Sequence, residues 1–262
     1  MVKLPGIEGA LLDIDGTVLE GATAVPGAAD AIQSLKTKGI GILLATNTSR
    51  KSRAGVAESL RNAGIDTQDP EILTSVVAAA ARLEEDGIRR VMPLLSPSAL
   101  ADLRAFDITE DHPEAVLVGD MGTLFTFDLL NRAFLNLRAG ARFIAVQKNR
   151  FWKSEHGIQI DAGAFVAALE YAAETTAEVI GKPAPAFFHA AARILGKRPA
   201  NLIVAGDSLE ADIAGGRAAG MKTVLVRTGL YDEKKLQALP PRERPDFVID
   251  SVRDLPDLLE TR

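Results

Sequence analysis

Short, nearly continuous apolar runs alternate with amphipathic stretches along most of the chain. Residues 10–14, 40–45, 202–205, 223–226 and 247–249 have the pattern of strands buried on both faces. Between the first two runs, Ala28, Ala31, Ile32 and Leu35 recur at helical spacing. They predict a helix opened by Pro26-Gly27 and closed by Gly39. Further helices are predicted over about 51–63, 186–195, 210–219 and 255–260, and a short strand over 178–180. This rhythm implies an α/β fold, a parallel sheet covered by helices on both faces. The middle third has strands of its own at 91–95, 115–118 and 142–146, and helices near 76–85, 128–138 and 163–174. About a hundred residues between two halves of one pattern is too long for a loop. The expected organisation is a core made of residues 1–77 and 177–262, with residues 78–176 inserted as a second α/β domain.

Composition narrows the function classes. The chain has 262 residues, 47% hydrophobic and 25% charged, so a sizeable core is available. It has no cysteine, which excludes disulfides, zinc–thiolate sites and a cysteine nucleophile. No secretory signal and no bilayer-length apolar stretch is visible, and the expected location is cytoplasmic. A net charge of −5 without a broad basic face argues against nucleic acid as a partner. A small anionic substrate held by a few cations remains compatible.

The chemistry concentrates at strand ends. The first run ends in Asp13-Ile14-Asp15-Gly16-Thr17. Residues i and i+2 of a strand share a side, so both acids could reach one pocket as the strand gives way to a loop. At about 4 Å and an effective dielectric near 20, two carboxylates repel by roughly 4 kcal/mol. A bound cation or a retained proton relieves this; a solvated turn is the plainer alternative. The second run leads to Thr46-Asn47, the short strand at 178–180 to Lys182, and the run at 202–205 to Asp207, with Asp212 beyond it. Ligands of open α/β sheets sit outside the carboxyl ends of the strands, where all these groups fall. Several carboxylates and one lysine suit Mg²⁺ and a phosphoryl group.

Asp13-Ile14-Asp15-Gly16-Thr17, Thr46-Asn47, Lys182-Pro183 and Gly206-Asp207 through Asp212 resemble, in order and spacing, the four motifs of the haloacid dehalogenase superfamily. The insert between the second and third motifs resembles a C2-type cap. Residues 150–153, 157–163 and 168–172 are similar to the sub-branch that contains phospholysine phosphohistidine inorganic pyrophosphate phosphatase. The resemblance implies a Rossmann-like core and a Mg²⁺-dependent phosphatase acting through an aspartyl-phosphate. It implies that Asp13 is nucleophile and metal ligand, and that Asp15 is general acid and then base, with its carbonyl on the metal. Thr46 and Asn47 would hold phosphoryl oxygens, Lys182 would neutralise them, and Asp207 and Asp212 would complete the metal site. Some members of the sub-branch carry Ser in place of Asp15; this chain keeps the acid, which favours phosphate-ester hydrolysis over dehalogenation.

Substrate choice is expected in the insert, at Lys148, Arg150, Trp152, Lys153 and Asp161, with packing and solvated charge as the alternative for these residues. His112, His156 and His189 form no metal-binding spacing and are read as structural or surface residues. A small phosphorylated molecule is the expected partner, and a homodimer is left open. Two other classes are weighed: a phospho-accepting signalling module, which the long insert disfavours, and a non-catalytic binding protein, which retention of every acid and the lysine disfavours.

Overall fold

The structure, a computed structural model, describes residues 4–154 and 157–259. The chain forms two compact units. One comprises Met1–Thr46, Ala54–Leu73 and Lys182–Arg262; the other comprises Asn47–Arg53 and Thr74–Gly181.

The first unit is built on a six-stranded sheet. Its order is Phe247–Ile249, Lys222–Val226, Leu202–Gly206, Gly9–Asp13, Gly41–Thr46 and Ile72–Thr74. The four pairings from Phe247–Ile249 across to Gly41–Thr46 are parallel. From Gly9–Asp13 the chain builds outward on one side, then returns to build outward on the other. The switch point therefore lies between Gly9–Asp13 and Leu202–Gly206, where such sheets open a crevice. One face packs Leu12, Leu44, Ile203, Ala205 and Val224 against Ile32 and Leu35 of the helix Ala28–Thr37 and against Val56 and Leu60 of Arg53–Asn62. Leu11 and Leu43, on the opposite face by strand alternation, are also buried. Each fully buried leucine contributes roughly 1.5–3 kcal/mol, and both faces carry several. A one-residue slip would drive Asp13 into an apolar layer, so burial sets the register that places the acids.

The second unit has a five-stranded parallel sheet, ordered Glu178–Val179, Arg142–Ala145, Ala115–Val118, Arg90–Leu94 and Asp107–Ile108. Met92, Leu94, Val116, Val118 and Phe143 pack with Ala133 and Leu137 of the helix Phe127–Arg138 and with Val166 and Leu169 of Ala162–Ala173. Both helices start on side-chain caps: Thr126 accepts from the Leu129 N–H at 3.3 Å, and Asp161 from the Ala162 N–H at 2.7 Å.

Three details depart from the sequence pattern. The strand Glu178–Val179 lies in the second unit's sheet, not in the sheet that carries Asp13. Its Glu178 is tied to Arg82 Nε of the helix Ser75–Glu85 at 3.0 Å and to Arg142 of the neighbouring strand, ion pairs that hold it in that sheet. Two hairpins, Leu19–Glu20 with Thr23–Ala24 and Phe151–Ser154 with Gly157–Ile160, form where no element was predicted. The predicted helix at 210–219 begins instead with a π-helical turn, Leu209–Ala214, in which Asp212 N–H and Ile213 N–H both reach the Ser208 carbonyl at 3.1 Å. No helix among the described residues is long and apolar enough to cross a membrane.

Candidate active site

Strand pairing delivers the acids. Leu12 is in register with Ala205 on one side, and Asp13 with Ala45 on the other. Asp13, Thr46 and Asp207 therefore leave the sheet from three neighbouring strands at one edge. The chain then turns back sharply: the N–H groups of Thr17, Val18 and Leu19 all reach the Ile14 carbonyl, at 3.3, 3.0 and 2.8 Å.

Asp13, Lys182, Asp207 and Asp212 are all buried. Lys182 Nζ sits 2.5 Å from Asp13 Oδ1 and 2.7 Å from Asp212 Oδ1. The Thr17 hydroxyl donates to Asp13 Oδ2 at 3.4 Å. Asp212 is brought inward by the wide π-helical turn and accepts from the Ser208 N–H at 3.2 Å; such turns recur at functional sites. Asp207 Oδ2 accepts from the Leu230 N–H at 2.7 Å. Asp15 is exposed, and the Thr46 hydroxyl donates to its Oδ2 at 3.2 Å.

Electrostatics mark the cluster as short of positive charge. Burial pushes the Asp13 carboxyl well above the ordinary range against the pull of Lys182, and Asp212 and Asp207 push it further. Asp207 is pushed up to about 6, by burial first and by Asp212 next, with the Leu230 N–H and Lys182 opposing. Burial pulls the Lys182 ammonium down, but Asp13 and Asp212 outweigh it and hold it above its ordinary value. One ammonium faces three carboxylates.

A hard divalent cation fits this deficit. Asp13, Asp207 and Asp212 each offer a carboxylate oxygen, and the three oxygens lie within 4.8 Å of one another. All the donors are oxygen, the preference of Mg²⁺. The cradle also tolerates no added bulk. Gly16 and Gly229 have φ of +90° and +57°, and a Cβ on either would lie 2.1 or 1.9 Å from Asp207 Oδ2. Gly229→Ala is therefore expected to cost about 1–3 kcal/mol of stability, from left-handed backbone strain and displacement of Asp207. Urea denaturation measures this loss directly.

The remaining sequence candidates lie in the second unit. The Asn47 carbonyl accepts from the Ser75 hydroxyl at 3.0 Å. Lys148 Nζ pairs with Glu170 at 2.6 Å. Asp161 is buried and, besides capping its helix, accepts from Gln147 Nε2 at 2.6 Å. Burial raises its carboxyl above the ordinary range, with those two donors opposing and Asp120 adding to the rise. Arg150 is exposed. The side chains of Trp152 and Lys153 fall outside the described part of the chain, as does His156; His112 and His189 are exposed.

Two contributors carry no motif. Leu230 acts through its backbone N–H, and Thr228 donates its hydroxyl to the Gly16 carbonyl at 2.5 Å. Both follow the strand Lys222–Val226. The rule that ligands gather beyond strand carboxyl ends is the one signal that points to them.

Two family descriptions match the chain: Haloacid dehalogenase-like hydrolase over residues 10–109 and HAD-hydrolase-like over residues 179–255. Haloacid dehalogenase-like hydrolase domain-containing protein 2 of Pongo abelii is 36% identical over 243 residues, covering 92% of this chain and 93% of the relative. Phospholysine phosphohistidine inorganic pyrophosphate phosphatase of Homo sapiens is 31% identical over 263 residues, covering 98% of this chain and 96% of the relative. Among solved structures, the p-nitrophenyl phosphatase from Archaeoglobus fulgidus superposes with a TM-score of 0.88 at 29% identity, covering 97% of this chain and 99% of that one. NagD from E. coli K-12 gives 0.87 at 28% identity, covering 95% and 98%.

Proposed function

The chain belongs to the haloacid dehalogenase-like hydrolase family and is one of its phosphatases, and from that premise we propose that it hydrolyses small phosphomonoesters with Mg²⁺ through an aspartyl-phosphate on Asp13. The observation that supports this reading most is the convergence of Asp13, Asp207 and Asp212 on one point, with Lys182 between Asp13 and Asp212.

Asp13, Asp207 and Asp212, with the backbone carbonyl of Asp15, would hold the ion. Bound there, Mg²⁺ supplies charge neutralisation for the phosphoryl oxygens. Lys182 adds a second positive charge and opposes protonation of Asp13. An Asp13 oxygen attacks phosphorus, and the bond from phosphorus to the leaving oxygen breaks. Asp15 gives its proton to that oxygen. Asp15 then takes a proton from water as the water oxygen attacks phosphorus. The bond from phosphorus to Asp13 breaks, and inorganic phosphate leaves. Thr46 steadies Asp15 through its hydroxyl, and Thr46 with Asn47 receives phosphoryl oxygens. The second unit acts as the C2-type cap, with discrimination among substrates assigned to Arg150 together with Lys148, Trp152, Lys153 and Asp161.

Turnover of p-nitrophenyl phosphate with Mg²⁺, lost with EDTA and restored by excess Mg²⁺, is the expected result. Absence of turnover with Mg²⁺ overturns the reading. A persistent phosphoprotein without turnover would point instead to a phospho-acceptor. Arg150→Ala is expected to raise KM for anionic substrates about tenfold and leave kcat nearly unchanged, since loss of uniform binding affects KM alone. A KM unchanged across a panel of phosphometabolites removes Arg150 from substrate recognition.

A further inference from the structure

The loop that follows the strand Lys222–Val226 contacts both halves of the acid–metal machinery without contributing a charged group. Thr228 Oγ1 donates to the Gly16 carbonyl at 2.5 Å, and two residues on the Leu230 N–H donates to Asp207 Oδ2 at 2.7 Å. Gly229 lies between them, and a Cβ placed on it would come within 2.7 Å of Gly16 Cα. The loop is itself anchored. The Arg227 N–H reaches the Ile249 carbonyl at 3.0 Å, and the Tyr231 N–H closes a turn on the Thr228 carbonyl at 3.1 Å.

Gly16 is the residue after Asp15, and both of its peptide planes are tied. Its N–H, which shares a rigid plane with the Asp15 carbonyl, donates to Leu19 at 2.7 Å. Its own carbonyl takes the Thr228 hydroxyl. A glycine at φ +90° has wide conformational freedom unless both neighbouring planes are held. The plane of the Gly16 carbonyl has one other tie, the long bond of the Thr17 N–H to the Ile14 carbonyl at 3.3 Å, so releasing the Thr228 bond loosens the turn that carries Asp15.

We propose that Thr228 is a positioning residue, whose hydroxyl holds the Gly16 turn so that Asp15 is aimed at the leaving oxygen while the same loop orients Asp207. The proposal rests on the assignment of Asp15 as general acid. It predicts an effect graded by leaving group. A good leaving group such as p-nitrophenolate departs with little protonation, whereas an alkoxide needs a well-placed acid.

The test compares wild type, Thr228→Val and Thr228→Ser. Valine keeps the β-branch and volume and removes the hydroxyl; serine retains the hydroxyl. With Mg²⁺, single-turnover cleavage of β-glycerol phosphate is expected to fall about tenfold in Thr228→Val, the effect of one lost hydrogen bond to a reacting group's support. Release of p-nitrophenolate should fall less than about threefold, with KM for both substrates within about twofold of wild type. Thr228→Ser should restore both rates. In metal-free protein, amide exchange at Gly16 and Thr17 should speed up in Thr228→Val and not in Thr228→Ser. Equal losses on both substrates, or unchanged exchange, overturn the proposal. A wild type that cleaves neither substrate refutes the phosphatase mechanism instead, and the exchange measurement then judges the Thr228 tie alone.

Discussion

Asp13→Asn is expected to lower p-nitrophenyl phosphate turnover by about a thousandfold or more, equivalent to about 4 kcal/mol of barrier. The amide has the same shape and keeps an oxygen for Lys182, but it is no nucleophile at phosphorus. Stability should not fall with it. Wild type buries three carboxylates against one ammonium, and burial opposes the ionised form of Asp13. Removing its charge relieves repulsion from Asp207 and Asp212. In EDTA the variant should therefore melt at or above the wild-type temperature. The combination of inactive and undiminished stability separates a chemical role from a structural one. Activity within about tenfold of wild type would contradict the assignment.

Lys182→Met is expected to have the largest effect on stability. The ammonium contacts Asp13 and Asp212 at 2.5 and 2.7 Å, and all three side chains are buried. Removing one partner of a buried ion pair typically costs about 3–5 kcal/mol, because the remaining charge is left without a counter-charge. The pH dependence follows from the direction of the shift. Lys182 is held above its ordinary value, so its contribution is fully present below the ordinary lysine range and is lost only as pH rises beyond it. At neutral pH the whole deficit should appear. Without Lys182, which opposes the rise, Asp13 and Asp207 take up protons at higher pH than in wild type, where Asp207 is already pushed up to about 6, and a folded-state value above the unfolded one favours the folded form on acidification. The gap between wild type and variant should therefore narrow between pH 7 and pH 5 in metal-free buffer. A gap that stays constant over that range contradicts the charge-balance account. Turnover should be lost together with stability, because the same ammonium neutralises the phosphoryl group.

Much of this site is legible in the chain. The runs around Leu12, Leu43 and Val204 are buried on both faces and cannot be mistaken for loops. Polar residues immediately after such runs must sit at the open edge of the sheet, which places Asp13, Thr46 and Asp207 without any structure. Asp212 is legible as an acid of that cluster, but not the π-helical turn that carries it inward, because the turn depends on the Ser208 carbonyl receiving two N–H groups. The strand Glu178–Val179 shows the limit of local pattern. Two residues fix neither a face nor a sheet, and the ion pairs of Glu178 with Arg82 and Arg142 are decided by residues far away in sequence. Asp161 illustrates a different limit: its place just before a helix lets it cap Ala162–Ala173, a role the sequence reading did not weigh for it. Thr228 and Leu230 are illegible for a simpler reason. One works through a backbone N–H and the other through a common hydroxyl, and neither leaves a compositional mark.

The most direct test of the central claim is to identify the atom that receives the phosphoryl group. A reaction with p-nitrophenyl phosphate and Mg²⁺ is stopped in acid during turnover, reduced with borohydride, digested and sequenced by mass spectrometry. Borohydride converts an aspartyl-phosphate to homoserine. Homoserine at position 13, absent without Mg²⁺ and absent in Asp13→Asn, is the predicted result; steady turnover with residue 13 unmodified, or the modification at another acid, would contradict it.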